Sequence, residues 1–280
     1  MCMRGRAVGW GRCTQAFYCE RTCQKRHGGR GGHKELCVEP PLCTICLDGG
    51  DEPVPIQRGC ACRGDAGLAH VACLAEVAAR KSGGLHEGWL QCPTCGQRST
   101  GAMDLGLQRA LVHRMRTRPR HDSERLAAES NLGNALLDAG QYDEAAGVLA
   151  RVLAAMKRAN GEDDEHTLLT ATMLAATYHM QGRLAEAEEL QVGVLEASQR
   201  VLGAEHPATL LNASNLAVMY IAQGRLTEAE ALQVDTLEVS RRVLGAAHPR
   251  TVLTARGLAH TYTEQGRGAD AEELRAMYHL

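Results

Sequence analysis

The chain has 280 residues, a formal net charge of −2 and 44% apolar residues. That length favours about two domains, and the composition excludes wholesale disorder. Aromatics make up only 3%, so any large core must be built from Leu, Ala and Val. No apolar run approaches the ~18 residues of a membrane span, and the opening stretch MCMRGRAVGWGRC lacks the apolar segment of about 7–15 residues that a secretory signal needs. The average conceals two unlike halves. All twelve cysteines lie between Cys2 and Cys95; residues 1–40 carry a charge of +5, residues 41–121 carry +3 and residues 122–280 carry −10. A cysteine-dense basic front and a cysteine-free acidic back are expected to be separate modules. With no secretion signal, the expected compartment is reducing, cytoplasmic or nuclear, and paired cysteines read as metal ligands before disulfides.

Residues 13–37 read CTQAFYCERTCQKRHGGRGGHKELC, with the pattern C-x4-YC-x3-CQ…H-x3-C. This resembles the latter part of a MYND finger. The resemblance implies zinc ligands at Cys13, Cys19, Cys23, His33 and Cys37, with up to two ions, over a module at residues 1–40. It is incomplete. Trp10 stands where a cysteine is expected, and a partner for Cys2 would precede Met1. Each site then has three ligands, open to completion by His27 or water. The finger begins upstream, has decayed, or is genuinely altered. The family binds short proline-containing peptides. The basic residues here lack interleaved aromatics, so a solvated face is favoured over nucleic-acid binding.

From residue 43 the ligand-type residues run Cys43, Cys46, Cys60, Cys62, His70, Cys73, Cys92 and Cys95, spaced C-x2-C-x13-C-x-C-x7-H-x2-C-x18-C-x2-C. Eight thiolate and imidazole groups make two tetrahedral zinc sites, which can brace a module too small to bury much core. The histidine in fifth place, the single residue between the third and fourth cysteines, and the phrase GCACRGDAGLAHVACLAEVA resemble the RING-CH (RING-variant) finger over residues 41–100. The rival with the same ligand order is the PHD finger, which spaces its histidine differently. By the RING-CH resemblance one zinc takes Cys43, Cys46, His70 and Cys73, and the other takes Cys60, Cys62, Cys92 and Cys95. The resemblance further implies a surface that holds a ubiquitin-charged conjugating enzyme, made here by Ile45, Trp89, Leu90 and Pro93. Such fingers form no covalent intermediate and act by positioning. Trp89 taken alone is the kind of residue more often found in a core. Two departures stand out: Gly96 and Gln97 separate the last ligand from Arg98, and Val77 stands where the family often has Trp.

Residues 101–121 are expected to form a linker or short helix, with Leu105–Met115 packing on the finger and a basic connector at Arg114–Arg120 interrupted by Pro119.

Beyond it the text repeats. Gly140, Gly182, Gly224 and Gly266 are each 42 residues apart, and Gly161, Gly203 and Gly245 follow the same period. Around the first set stand AGQYDEA, QGRLAEAE, QGRLTEAE and QGRGADAE; around the second, GEDDEHTLL, GAEHPATLL and GAAHPRTVL. Each unit reads as two helices. The first ends in a glycine suited to a left-handed cap, and the second is long, as at Leu226–Leu244. Pro207 and Pro249 open the next first helices. Small residues at Ala145, Ala187, Ala229 and Ala271 let the pair approach. The motifs NLAVMYIAQGRLTEAEALQ and LGAEHPATLLNASNLA resemble the tetratricopeptide repeats of kinesin light chains. The resemblance covers residues 122–280 in about four units. It implies a right-handed solenoid whose concave face binds peptides, with Asn131 and Asn215 facing that groove. Met173 and Gly257 occupy the same place in the second and fourth units, so an asparagine ladder is broken. Solvated polar residues are the competing account of the two asparagines.

The expected fold class is therefore small zinc-stabilised modules followed by an all-α two-helix repeat solenoid. The expected function is a RING-CH-type ubiquitin ligase whose repeats recruit substrate. A non-enzymatic zinc-binding adaptor is the alternative, and a PHD-like chromatin reader is a third. The expected cofactor is zinc, and the expected partners are a conjugating enzyme and a peptide or protein in the repeat groove, not a membrane.

Overall fold

The structure, a computed structural model, describes residues 56–58, 68–80, 87–92 and 95–280. In the front part, β1 (Ile56–Arg58) pairs antiparallel with β2 (Leu68–His70), setting Ile56 opposite His70 and Arg58 opposite Leu68. The helix α1 (Val71–Arg80) follows β2 directly, and α2 (Glu87–Leu90) is a single turn. After α3 (Gly101–Met115) the helices run in pairs: α4 (Ser123–Asp138) with α5 (Tyr142–Asn160), α6 (Glu165–Met180) with α7 (Leu184–Leu202), α8 (Pro207–Ala222) with α9 (Leu226–Leu244), and α10 (Pro249–Glu264) with α11 (Gly268–Tyr278). Each helix packs against the next along the chain. The first helices α4 and α6, and α8 and α10, approach one another more closely than any second helices do, which places the first helices on the inner side of the solenoid.

The repeated text has local physical causes. Asp122, Asp164, His206 and His248 stand at one repeat position and cap the first helices. Each side chain accepts the N–H of the third or second residue after it: Arg125, Thr167, Ala208 and Arg250. Where the cap is histidine, Pro207 or Pro249 follows, at a site that has no N–H to lose. That backbone hydrogen bond from Arg125, joined by the Arg118 guanidinium, holds the Asp122 carboxyl below its usual range. At the other end Gly140, Gly182, Gly224 and Gly266 have φ between 72° and 79°, which lets the chain turn left-handed out of the helix. The next N–H then reaches back five residues, as from Arg183 to the Tyr178 carbonyl at 2.9 Å. The same arginine stacks its guanidinium 3.9 Å from the Tyr178 ring centre, and Arg225 over Tyr220 and Arg267 over Tyr262 repeat the arrangement at 4.3 and 4.2 Å. The QGR phrase is thus a helix stop closed by a cation on an aromatic ring.

Units are also clasped to one another. Gln223 and Arg225 both reach back to Glu188, at 2.9 and 2.6 Å, and Gln265 and Arg267 reach Glu230 at 2.8 and 2.7 Å. The Arg225 bond holds the Glu188 carboxyl below its usual range, and the Gln265 and Arg267 bonds do the same for Glu230. In the first unit the equivalent position is Ala146, and Gln181 turns to Asp143 at 2.7 Å instead.

Within each pair the approach is set by small residues: Ala145, Ala187, Ala229 and Ala271 are fully buried. Gly133, inside α4, shows how tight this is. A Cβ there would lie 2.4 Å from the Leu149 side chain. The later units have Ala175 and Ala217 at that position and place Gln191 and Gln233 where Leu149 stands. Gly133→Ala is therefore expected to lower stability by about 1–3 kcal/mol by overpacking, despite alanine's better helix propensity. Urea unfolding of the variant checks this, and an unchanged or raised midpoint would mean that Leu149 moves aside freely.

One period before α5 lies α3, which packs on α4 as α5 packs on α6. It is a second helix without a first. Its other side packs on the finger: Ala69, Ala78, Trp89, Met103, Leu107, Leu111, Met115 and Ala128 form one buried cluster. Gly106 lets α3 approach the start of α1, since a Cβ there would lie 2.7 Å from the Val71 side chain.

Candidate functional site

Two surfaces carry the candidate residues, one on the finger and one on the inner side of the repeats. On the finger, the junction between β2 and α1 brings His70 and Cys73 together, with Nδ1 3.8 Å from Sγ. A tetrahedral zinc with bonds of about 2.3 Å to sulfur and 2.0–2.1 Å to nitrogen separates two such ligand atoms by about 3.6 Å. The pair therefore fits two corners of one site. His70 is 7% exposed and Cys73 half-buried, so a bound ion would be shielded on this side.

Cys92 and Cys95 stand beside a backbone closure made by Cys92, Gly96 and Gln97. The Cys92 N–H donates to the Gln97 carbonyl at 2.7 Å and the Gly96 N–H to the Cys92 carbonyl at 2.9 Å, with Gly96 at φ 69°. This local closure is the form a C-x2-C pair takes to offer both thiolates to one ion. Cys43, Cys46, Cys60 and Cys62 lie outside the described residues, as do Ile45, Pro93 and the front-finger residues Cys13, Cys19, Cys23, His33 and Cys37. The described residues therefore hold half of each ligand set expected for the RING-CH-like finger and none of the front finger's, and among them no three ligand-type groups stand together.

The same closure positions the neighbouring contact candidates. Gln91 bridges antiparallel to Arg98, and the Ser99 N–H donates to the Leu90 carbonyl at 2.8 Å. Arg98, three positions after the last ligand, thereby returns beside Leu90 with its side chain exposed. Trp89 points the other way. It is 5% exposed and belongs to the cluster shared with α3, so its ring is core.

On the repeats, Asn131 and Asn215 are half-buried on α4 and α8. Residues three and four apart share a helix face, and the neighbours on that face were not singled out by sequence reasoning. Leu169, Leu211 and Leu253 stand at one repeat position, four residues before Met173, Asn215 and Gly257, and are 52%, 37% and 56% exposed. Val218, three residues after Asn215, is 49% exposed. A leucine left in water at the same place in three successive units forms an apolar stripe along the first helices. The signal was present in HTLLT, PATLL and RTVLT, where the leading apolar residue is buried (Leu168, Leu210) or half-buried (Val252) and the second falls off that stripe.

Among the described residues no helix is long and apolar enough to cross a membrane. The tetratricopeptide repeat model matches residues 124–192, 171–232 and 210–274, together more than half of the chain. The chain belongs to the tetratricopeptide repeat family. A RING-variant domain model matches residues 43–95, the stretch from the first to the last of the eight spaced ligand-type residues. No curated protein matches this tetratricopeptide repeat protein. Among solved structures it is similar to the nearly identical TPR-like repeats of a putative kinesin light chain of Podosopora anserina, in the crystal structure of a single-residue variant, with 28% identity, a TM-score of 0.56, and coverage of 62% of this chain and 84% of that one. A second crystal structure of those repeats gives 27% identity and a TM-score of 0.56 over 63% and 84% of the two chains. BtubC (BKLC) from P. vanneervenii shares the fold at 19% identity and a TM-score of 0.55, over 62% and 70%. A RING-variant domain is a zinc-binding module and tetratricopeptide repeats are protein-binding ones, so the front and back of the chain differ in chemistry as they do in composition.

Proposed function

We propose that this tetratricopeptide repeat protein is a RING-type ubiquitin ligase, in which the finger holds a charged conjugating enzyme and the inner face of the repeats recruits the protein to be modified. The observation that carries this reading is the RING-variant match at residues 43–95 together with the seating of that module on α3, the helix that also opens the repeat array. In the finger, Cys43, Cys46, His70 and Cys73 hold one zinc, and Cys60, Cys62, Cys92 and Cys95 the other. The ions fold the loops and take no part in bond making. Ile45, Leu90 and Pro93 form the apolar contact with the conjugating enzyme, and Trp89 supports them from beneath. Arg98, returned beside Leu90 by the closure, supplies the basic group that related fingers carry just after the last ligand. Bound in one orientation, the thioester is poised for attack by a lysine, a gain in effective concentration rather than new chemistry.

On the repeats, the apolar stripe of Leu169, Leu211 and Leu253 takes side chains of an extended peptide, and Asn131 and Asn215 bond its backbone. Holding substrate on the same rigid array that seats the finger limits the space its lysines explore.

Discharge of ubiquitin from a charged conjugating enzyme to free lysine, with zinc-loaded full chain, tests the reading. Ile45→Ala is expected to slow discharge by about five- to thirtyfold, since one apolar anchor at the centre of a small interface is worth about 1–2 kcal/mol. Discharge no faster than the enzyme alone, in protein with its zinc bound, would leave the adaptor reading, in which the finger and repeats only bring proteins together. The observation that favours this second reading is the pair Gly96 and Gln97 between Cys95 and Arg98.

A further inference from the structure

On the outer side of the second unit the helices enclose a groove of about 530 Å³, lined by α6, α7, the loop before α6 and the end of α5. It lies across α6 from the apolar stripe. Ala171, on the groove floor, is two residues from Met173 and so about 200° around the helix from it.

The groove exists because three side chains are small. In the first unit the equivalent positions hold Arg125, Glu129 and Arg151, which fill the space with an ion network: Arg125 to Glu129 at 2.9 Å and Arg151 to Glu129 at 3.3 Å. The second unit has Thr167, Ala171 and Gly193 there. In the third unit the counterpart of Gly193 is Asp235, and that of Ala197 is Val239. Gly193 is the informative one. It sits in the middle of α7, where glycine costs helix stability. No close packing demands it, since a Cβ there would meet nothing within 4 Å.

The floor is apolar, with Leu168, Leu174 and Val194, and the rim is acidic. Glu162 and Asp163 are neutralised by Lys157 and Arg200. Glu189 and Glu196 are exposed and make no close ion pair or hydrogen bond among the described residues, although Arg200, bonded to Asp163, also lies within the field of Glu196. They lie on the same face of α7, on either side of Gly193, about 10 Å apart along the axis. Three residues of chain in the polyproline II form span about 9 Å and return the side chain to the same side.

We propose that this groove is a second docking site, separate from the inner face. It takes a peptide in the polyproline II form whose two basic side chains, three residues apart and on one side, meet Glu189 and Glu196 while an aliphatic side chain between them turns down beside Gly193. The occupant is a basic-apolar segment of a partner protein; the acidic rim repels nucleic acid and anionic lipid. The site does not depend on ligase activity.

The test uses the full chain and a fluorescent peptide of about nine residues bearing two arginines separated by two residues, one of them leucine, in a Gly/Ser/Thr context. A probe with glutamates in place of the arginines is the control. Binding of the arginine probe is expected, weakening with added salt. Gly193→Arg, which restores the residue type of the first unit, is expected to reduce affinity about tenfold or more by filling the hollow, with no fall in melting temperature because arginine is the better helix former. Glu189→Gln combined with Glu196→Gln is expected to weaken binding several-fold. Leu211→Asp, on the inner face, is expected to leave it unchanged. The proposal is overturned by failure of the probe to bind, by equal binding of the glutamate probe, by undiminished binding to Gly193→Arg, or by loss on Leu211→Asp.

Discussion

Trp89→Ala is expected to cost about 3–5 kcal/mol, the usual range for emptying a buried tryptophan site, and to loosen the finger from the repeats. The ring is 5% exposed and sits in one cluster with Ala78 of α1, Met103, Leu107 and Leu111 of α3, and Ala128 of α4. Four consecutive helices, α1 to α4, therefore share a single core. Gly106, which a methyl group would drive into Val71, shows that the contact between α3 and α1 has no slack to absorb the vacancy. In calorimetry the variant should show the finger and α3 melting earlier than α4–α11, and limited proteolysis should reach residues 99–121 sooner. Zinc content should stay unchanged, because Trp89 is not a ligand. Wild-type melting and proteolysis in the variant would mean that the finger is merely tethered. The consequence for the proposed activity is specific. Discharge to free lysine should slow, because Trp89 supports Leu90 from beneath, and transfer to a protein bound on the repeats should fall further, since it also depends on the fixed geometry.

The repeats were legible in the sequence because each unit solves the same problems with the same residues. The period of 42 shows through the glycine stops, the Pro207 and Pro249 starts and the small residues at Ala187 and Ala229, and all of these occupy the expected places. What escaped were features that depend on contacts between units. The clasp of Arg225 on Glu188 spans 37 residues, and nothing in the local text distinguishes that glutamate from a solvated one. The exposed leucines were hidden in the opposite way: Leu211 stands directly after the buried Leu210, and a pair of leucines reads as core until the helix face is known. The groove beside Gly193 escaped because a glycine without a turn carries no periodic signal. On the finger, the spacing of the cysteines and histidine is the signal that the RING-variant match covers, because metal chemistry tolerates few substitutes, and the closeness of His70 to Cys73 fits the expected pairing. The role of Trp89 was ambiguous, since the same ring suits a contact surface or a core. Only α3, a helix with no sequence pair of its own, reveals what covers it.

Removal of zinc should have the largest effect of all. Structural zinc contributes apparent energies of about 10–16 kcal/mol in small fingers, far more than a two-stranded sheet and a short helix can supply by burial. Native mass spectrometry of the full chain is expected to count two zinc ions for the RING-variant domain, and further ions only to the extent that Cys13, Cys19, Cys23, His33 and Cys37 are metallated. Cys73→Ser removes one thiolate of the pair with His70 and is expected to lose zinc and abolish discharge. The repeats should survive, because α4–α11 contain no cysteine and close their own core. Far-ultraviolet circular dichroism should therefore keep most of its helical signal after treatment with a strong chelator. The finger side of α3 should not stay covered: Met103, Leu107 and Leu111 would lose the α1 and Trp89 surface that buries them, so binding of a hydrophobic dye should rise as zinc leaves. A chelator that strips zinc without raising dye binding would mean that the finger folds on its own core. Absence of zinc from protein prepared without chelator would remove the ligase reading altogether, because nothing would then hold Leu90, at the end of α2, and Arg98 in register with Ile45.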